Sequence, residues 1–470
     1  MSYDLNIGST LHFNRQTLFF SAVLITIISA LGIWISVSSE QGLFVLLATI
    51  GITGIFFIIK YPKLWLYTIA LSSFFFFRAS SEGVSAADVA YGSFFIAGTF
   101  IWIIWKMLIQ RERIVKNPAD WSILFFYFFL LFNSLWSLSD EVRLLDWFRE
   151  YALFSTVLLY FPIKYYIKEK RDISTLLILF AVSVVICSID QLRTYKETAL
   201  AEAVYAFQLG ISVRINQTLF SASILYSIML SLVNIKLWKR MSVGIFSLIS
   251  ISALLVSFSR SFWLFIIFGL ILLFFYLDKK QKIALIISLF LVSSVGLLIF
   301  VNVFKEKTKI MTQVIEKRIL SSTEGKKDIS VQLRLIEYEQ VLRGIKSSPF
   351  FGKGLGSLVE FYDPDMHFTY RRFNVHNSYL FIIYRVGIPL AFFFFFPIFY
   401  RTFYAERLAR RVKDKFFKAL LLGAGSTLLM MIVASFASAQ FFNRDGTIVM
   451  AVSFALIDII RDKFEKNIIT

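Results

Sequence analysis

His376 opens the run His-Asn-Ser-Tyr-Leu-Phe-Ile-Ile-Tyr, directly after a loop that carries Gly352, Gly354 and Gly356. Three arginines stand at comparable edges of apolar sequence. Arg260 lies in Ser259-Arg260-Ser261, inside an otherwise apolar stretch from Val243 to Leu277. Arg214 precedes another such stretch, and Arg334 sits in a segment of helical periodicity between two more. A guanidinium stays charged, and its planar fork of donors matches phosphate oxygens. A charge at the edge of hydrocarbon is costly enough to be read as functional. Arg260, with apolar sequence on both sides, carries that reading most directly. Taken singly, Arg214 and Arg334 read first as headgroup anchors or ion-pair partners. A neutral imidazole at His376 can take a proton from a hydroxyl nucleophile; without the arginines it reads as a helix cap or an interfacial residue. Together the four groups suit a lipid-linked phosphate.

Other motifs carry less. Phe-Phe-Gly-Lys-Gly-Leu-Gly-Ser at 350–357 lacks the Gly-Lys-Ser/Thr of a Walker loop and the preceding strand of a dinucleotide fingerprint. Its glycines suit a tight turn first, and a close approach of backbone to ligand second. Tyr-Asp-Pro-Asp-Met-His at 362–367 offers Asp363, Asp365 and His367 at loose spacing, which reads as a solvated loop; no metal site and no other cofactor is expected. The single Cys187 allows no intrachain disulfide. Arg385, inside an apolar run, is open to two readings, a site residue or a structural ion-pair partner.

The elements that must position these residues follow from composition. The 470 residues are 57% hydrophobic and include 54 Phe, a balance that belongs to a multi-pass membrane protein. Continuous rather than alternating apolar runs predict helices, not sheet. Spans are read at 17–37, 42–59, 64–77, 89–109, 121–138, 151–163, 173–189, 218–235, 243–258, 262–277, 283–304, 377–400, 416–436 and 447–460. That predicts an all-α bundle of about fourteen spans, in the range of about 12–14. Residues 1–470 form one integral membrane domain, and residues 18–37 read as a span rather than a cleaved leader. The net charge of +18 gathers in alternate loops: Lys60 and Lys63; Arg111, Arg113 and Lys116; Lys164 to Arg171; Lys236 to Arg240; Lys279 to Lys282; Arg407 to Lys415; Arg461 and Lys463. This pattern predicts cytoplasmic termini and argues for membrane lipids, not nucleic acid, as partners of the basic residues. Residues 305–376 then form a long extracytoplasmic loop. In it Val331, Leu335, Tyr338, Leu342 and Ile345 form a helical stripe that Asp328 or Ser330 could cap. Residues 190–213 form a second outer helical segment, with Leu192, Tyr195, Leu200 and Val204 as its stripe. Arg214, Arg260, Arg334 and His376 all fall on this outer side.

In order along the chain, Ser-Arg between two spans, Arg334 before Ile-Lys-Ser-Ser-Pro-Phe-Phe-Gly-Lys-Gly-Leu-Gly, and His-Asn-Ser-Tyr-Leu with Gly387 beyond, the sequence resembles the bacterial O-antigen ligase and polymerase superfamily. The specific part covers roughly residues 210–390. The resemblance implies a many-helix inner-membrane fold related to the C-type glycosyltransferases, with a large periplasmic loop over the site. It implies a metal-independent, inverting transfer of a glycan from undecaprenyl diphosphate to an acceptor hydroxyl, without a nucleotide sugar. Arg260 and Arg334 would hold the diphosphate, with Arg214 as a further arginine, and His376 would assist the acceptor, near Gly352, Gly354, Gly356 and Asn377. The segment after Arg214 lacks the Gly and Pro-Asn often found there, and Arg385 stands where an acid is frequent. The acceptor stays open between lipid A-core, as in a ligase, another lipid-linked unit, as in a polymerase of O-antigen, capsule or exopolysaccharide, and a protein Ser or Thr. A reading of a different class is a lipid-linked glycan flippase or transporter; it predicts charges deep within several spans, whereas here they cluster near one face.

Overall fold

The computed structural model describes residues 60–74, 92–139, 142, 144–195, 216–231, 237–257, 259–277, 279–303, 329–363, 368–373 and 375–466. Spans read at 17–37 and 42–59, Arg214, Asp328, Asp365 and His367 lie outside the described residues. Among the described residues the regular structure is helical apart from one hairpin. Continuous apolar runs leave little alternative, because in hydrocarbon each backbone N–H and C=O must be satisfied within its own segment. The helices are α1 (Pro62–Ser72), α2 (Gly98–Ile104, flanked by π-helical turns), α3 (Pro118–Ser139), α4 (Leu144–Ser155), α5 (Tyr160–Tyr166), α6 (Lys170–Thr194), α7 (Gln217–Ser231), α8 (Leu237–Leu255), α9 (Arg260–Tyr276), α10 (Lys279–Val303), α11 (Ile329–Ser347), α12 (Ser378–Ala409), α13 (Lys415–Ala434) and α14 (Arg444–Glu465). Three of them, α6, α12 and α13, are long and apolar enough to cross a membrane. The run at 151–163 is not one continuous span; it is divided among α4, a 3-10 turn at Thr156–Leu159 and α5. The outer segment expected from residue 190 begins as the last turn of α6.

The centre of the bundle is α14. Every residue from Arg444 to Arg461 is buried, packed against α13, α7, α5 and the 3-10 turn. A helix buried on all sides is expected to be apolar all round. Here the middle turns are uncharged, with the polar Thr447 and Ser453 hydrogen-bonded to Thr156 and Tyr226, and the charges sit at the two ends, each paired. Arg444 donates to Asn216 Oδ1 (2.5 Å). Asp445 accepts from the Thr218 amide at the start of α7 (2.8 Å). At the far end, Asp458 and Arg461 enter an ionic network. That network joins Asp120 of α3, Tyr160 and Lys164 of α5, and Arg401 of α12. Arg401 donates to Asp120 (2.6 Å) and to Asp458 (2.9 Å), and Lys164 contacts Asp120 at 3.0 Å. Tyr160 hydroxyl binds both Asp120 and Asp458.

Basic residues from several of the alternating segments meet at this same end. Lys63 pairs with Asp172 (2.7 Å), Lys116 with Asp462 (2.6 Å), and Lys170 reaches Asp414 at 3.9 Å. Lys164 departs from the reading of these residues as headgroup anchors, since it is buried among two carboxylates. The opposite end carries residues 348–363, 368–373 and 375–377. It holds the departure from an all-α fold, an antiparallel hairpin of β1 (Val359–Asp363) and β2 (Phe368–Arg372), with Glu360 opposite Arg371. Val359 and Phe361 are buried, whereas Glu360 and Tyr362 are exposed. That period of two is the pattern of a half-buried strand, too short to stand out within a long polar loop.

Candidate functional site

The site-bearing end is organised by a break in α12. At Gly387 the backbone turns to φ 79° and ψ 168°, and a Cβ there would lie 2.1 Å from the carbonyl oxygen of Phe350. The break removes helical partners from the carbonyls of Tyr384 and Arg385. The glycine loop supplies replacements: Lys353 N–H donates to Tyr384 O (2.7 Å) and Gly354 N–H to Arg385 O (2.9 Å), while Ile388 N–H donates back to Pro349 O (2.8 Å). Gly352, Gly354 and Gly356 all take positive φ. The amides of Gly352 and Gly356 donate to Ser348 O (3.0 Å) and Glu150 Oε2 (2.7 Å). With these four amides committed to protein acceptors, the loop acts as a clasp that docks the outer segment on α12.

Arg385 locks this clasp. Its guanidinium is buried, pairs with Glu150 at 2.8 Å, donates to Phe373 O (2.9 Å) and Ser357 Oγ (2.6 Å), and lies over the Phe381 ring. Of the two roles open for it, the geometry gives the structural ion pair.

Beyond the clasp, α11 lies along the first turns of α12. Its buried face is Glu337, Val341 and Ile345, while Leu335 and Leu342 are exposed. The stripe expected from the sequence is therefore rotated, and Ser330 lies inside the helix rather than capping it. The reason is the partner surface. Gly344 meets the Tyr384 ring, and Glu337 meets the polar start of α12 rather than water. Glu337 accepts from the His376 backbone N–H through Oε1 (2.5 Å) and contacts His376 Nδ1 through Oε2 (2.8 Å). The His376 side chain is 42% exposed and that of Glu337 only 8%, so the imidazole is gripped at Nδ1 by a buried carboxylate while much of the side chain stays accessible. His376 is not the cap of α12. That role belongs to Asn377, whose side-chain oxygen accepts from the amides of Tyr379 (2.9 Å) and Leu380 (3.1 Å).

Arg334 stands one turn before Glu337 and Tyr338, on the same face of α11 and half-buried. The Tyr338 hydroxyl donates to Phe436 O (2.9 Å) and reaches His376 O (3.4 Å). Burial pushes this phenol up from its usual range, and the Arg334 charge pulls it back. Arg260 is the first residue of α9. The other end of α9, Tyr276, contacts Arg410 beside the basic segments. The 17 residues of α9, spanning about 24 Å, place Arg260 at the end of the helix away from these basic segments. The start of α7 is tied to this end as well, through Asn216 to Arg444 and Thr218 to Asp445. A polar chain continues from Thr218 through Gln440 and Ser438 to Ser378, next to Asn377. So Glu337 ties His376 to the helix that carries Arg334, Arg260 begins α9 at the end away from Tyr276, and Arg214 lies outside the described residues.

Glu337 is the residue missed in the sequence. Its signal was positional: three residues after Arg334 and four before Val341, it lies on their common face.

Among the described residues, a mostly helical bundle with three helices long and apolar enough to cross a membrane, and a histidine held by a buried carboxylate at one end, defines the class. Residues 245–395 match the family described as O-antigen ligase, so the chain carries an O-antigen ligase family domain, running from α8 into α12 and containing Arg260, Arg334 and His376. No curated protein matches the chain.

Proposed function

We propose that the protein is an inner-membrane glycan transferase whose site lies at the extracytoplasmic end of the bundle. Its donor is a saccharide on undecaprenyl diphosphate, and its acceptor a hydroxyl, that of lipid A-core in the ligase reading. The observation that carries this is the half-exposed His376 imidazole, held at Nδ1 by Glu337, which stands one helical turn after Arg334. The gathering of Lys63, Lys116, Lys164 and Lys170 at the opposite end supports the sidedness, since basic segments stay cytoplasmic.

In the reaction the acceptor oxygen bonds to the anomeric carbon from the face opposite the leaving group. The carbon–oxygen bond to the diphosphate breaks, and its electron pair departs with the diphosphate. Configuration inverts. The hydroxyl proton passes to His376, a general-base contribution of about 10²–10⁴-fold. Arg334, with Arg260 and Arg214, stabilises charge growing on the leaving diphosphate. No bound metal is required for these steps.

The test is transfer by purified protein in proteoliposomes. It uses undecaprenyl diphosphate-linked oligosaccharide and acceptor lipid extracted from cells lacking the protein, with and without chelator. Product in both conditions is expected. Transfer strictly dependent on added divalent ion would overturn the metal-free mechanism. The acceptor consumed separates ligase from polymerase: core lipid gives the first, a second lipid-linked unit the other.

A further inference from the structure

We infer that Glu337 is a positioning residue that fixes the tautomer and ring plane of His376; this rests on the general-base reading above. An ionised carboxylate only accepts hydrogen bonds. Glu337 Oε1 takes the His376 backbone N–H at 2.5 Å, and Oε2 lies 2.8 Å from Nδ1. Nδ1 therefore carries the proton, and the Nε2 lone pair faces outward toward the acceptor. Which ring nitrogen is protonated follows from the partner of the other one. The two contacts to one residue also hold backbone and ring in register, as a single contact to the ring would not. Glu337 is itself fixed by burial on the α11 face. When His376 takes the acceptor proton, the carboxylate stabilises the imidazolium in place.

Glu337→Gln tests this with little change of shape. The amide oxygen can still accept the backbone N–H. The amide NH₂ then faces Nδ1 and favours the opposite tautomer, with the proton on Nε2 and no lone pair toward the acceptor. In the proteoliposome assay, Glu337→Gln is expected to lower kcat about 10²–10⁴-fold at unchanged KM for the lipid-linked donor. Glu337→Asp, which keeps a pure acceptor, should recover most of the loss. The second readout is independent of activity. With only three histidines in the chain, ¹⁵N-histidine spectra in nanodiscs can be assigned by subtracting His376→Ala. The native protein should show the Nδ1–H tautomer at His376 and Glu337→Gln the Nε2–H form. A native Nε2–H tautomer, or Glu337→Gln with native spectrum and native rate, would overturn the inference. If His376→Ala transfers glycan normally while the tautomer still switches, the general-base reading fails and the positioning of the ring by Glu337 stands.

Discussion

Arg401 and His376 lie toward opposite ends of α12, and their surroundings differ in kind. Arg401 is buried and divides its donors between Asp120 and Asp458, with Tyr160 and Lys164 completing the network. His376 has one carboxylate partner, and a large part of its ring is exposed. Charges taken out of water must be compensated where they stand, and the Arg401 network is built that way. A group that works on a substrate must keep valence in reserve. The contrast teaches that charge inside this bundle has two uses, joining helices at one end and, on the proposed function, meeting a substrate at the other.

The largest expected effect breaks the joining end. Arg401→Ala leaves two buried carboxylates short of a partner and should cost about 3–5 kcal/mol, read as lost accumulation or a lowered thermal transition in detergent. His376→Ala should leave that transition where it is. A comparable fall in both variants would erase the distinction between the ends. At the other end, Arg334→Ala should lower transfer about 10²–10³-fold, the scale of removing one donor to a developing charge, with native accumulation. Native transfer by that variant would remove Arg334 from the site. Gly387→Ala probes the clasp between the two regions. A left-handed φ and a Cβ 2.1 Å from Phe350 O predict a loss of about 1–3 kcal/mol, with transfer falling because α11 loses its seat; an unchanged melting transition would contradict the clasp. The smallest effect belongs to Glu339→Ala. Its exposed pair with Arg343 is worth about 0.3–0.5 kcal/mol, and neither stability nor transfer should move much, although Glu339 is two residues from Glu337.

That last contrast also marks what the sequence could express. Helices in apolar runs were legible because hydrocarbon permits little else, and His376 and Arg334 stood out by residue type. Glu337 did not: on a helix rich in Glu, Gln and Arg, a buried carboxylate looks like Glu339 until the partner surface is known. The same holds at the other end, where Lys164 read as a headgroup anchor because Asp120 and Asp458 are 44 and 294 residues away along the chain. Arg385 was ambiguous for the same reason, its partner Glu150 being 235 residues distant. The hairpin was hidden by its length, with two buried side chains, Val359 and Phe361, inside a polar loop. Chemistry by residue type is local and readable; partnership is long-range and is not.

The most direct measurement is glycan transfer by His376→Ala beside the native protein, in proteoliposomes at matched protein content, with undecaprenyl diphosphate-linked oligosaccharide as donor. The account predicts normal insertion and accumulation with transfer reduced by about 10²-fold or more. A variant that inserts normally and transfers at the native rate would contradict it.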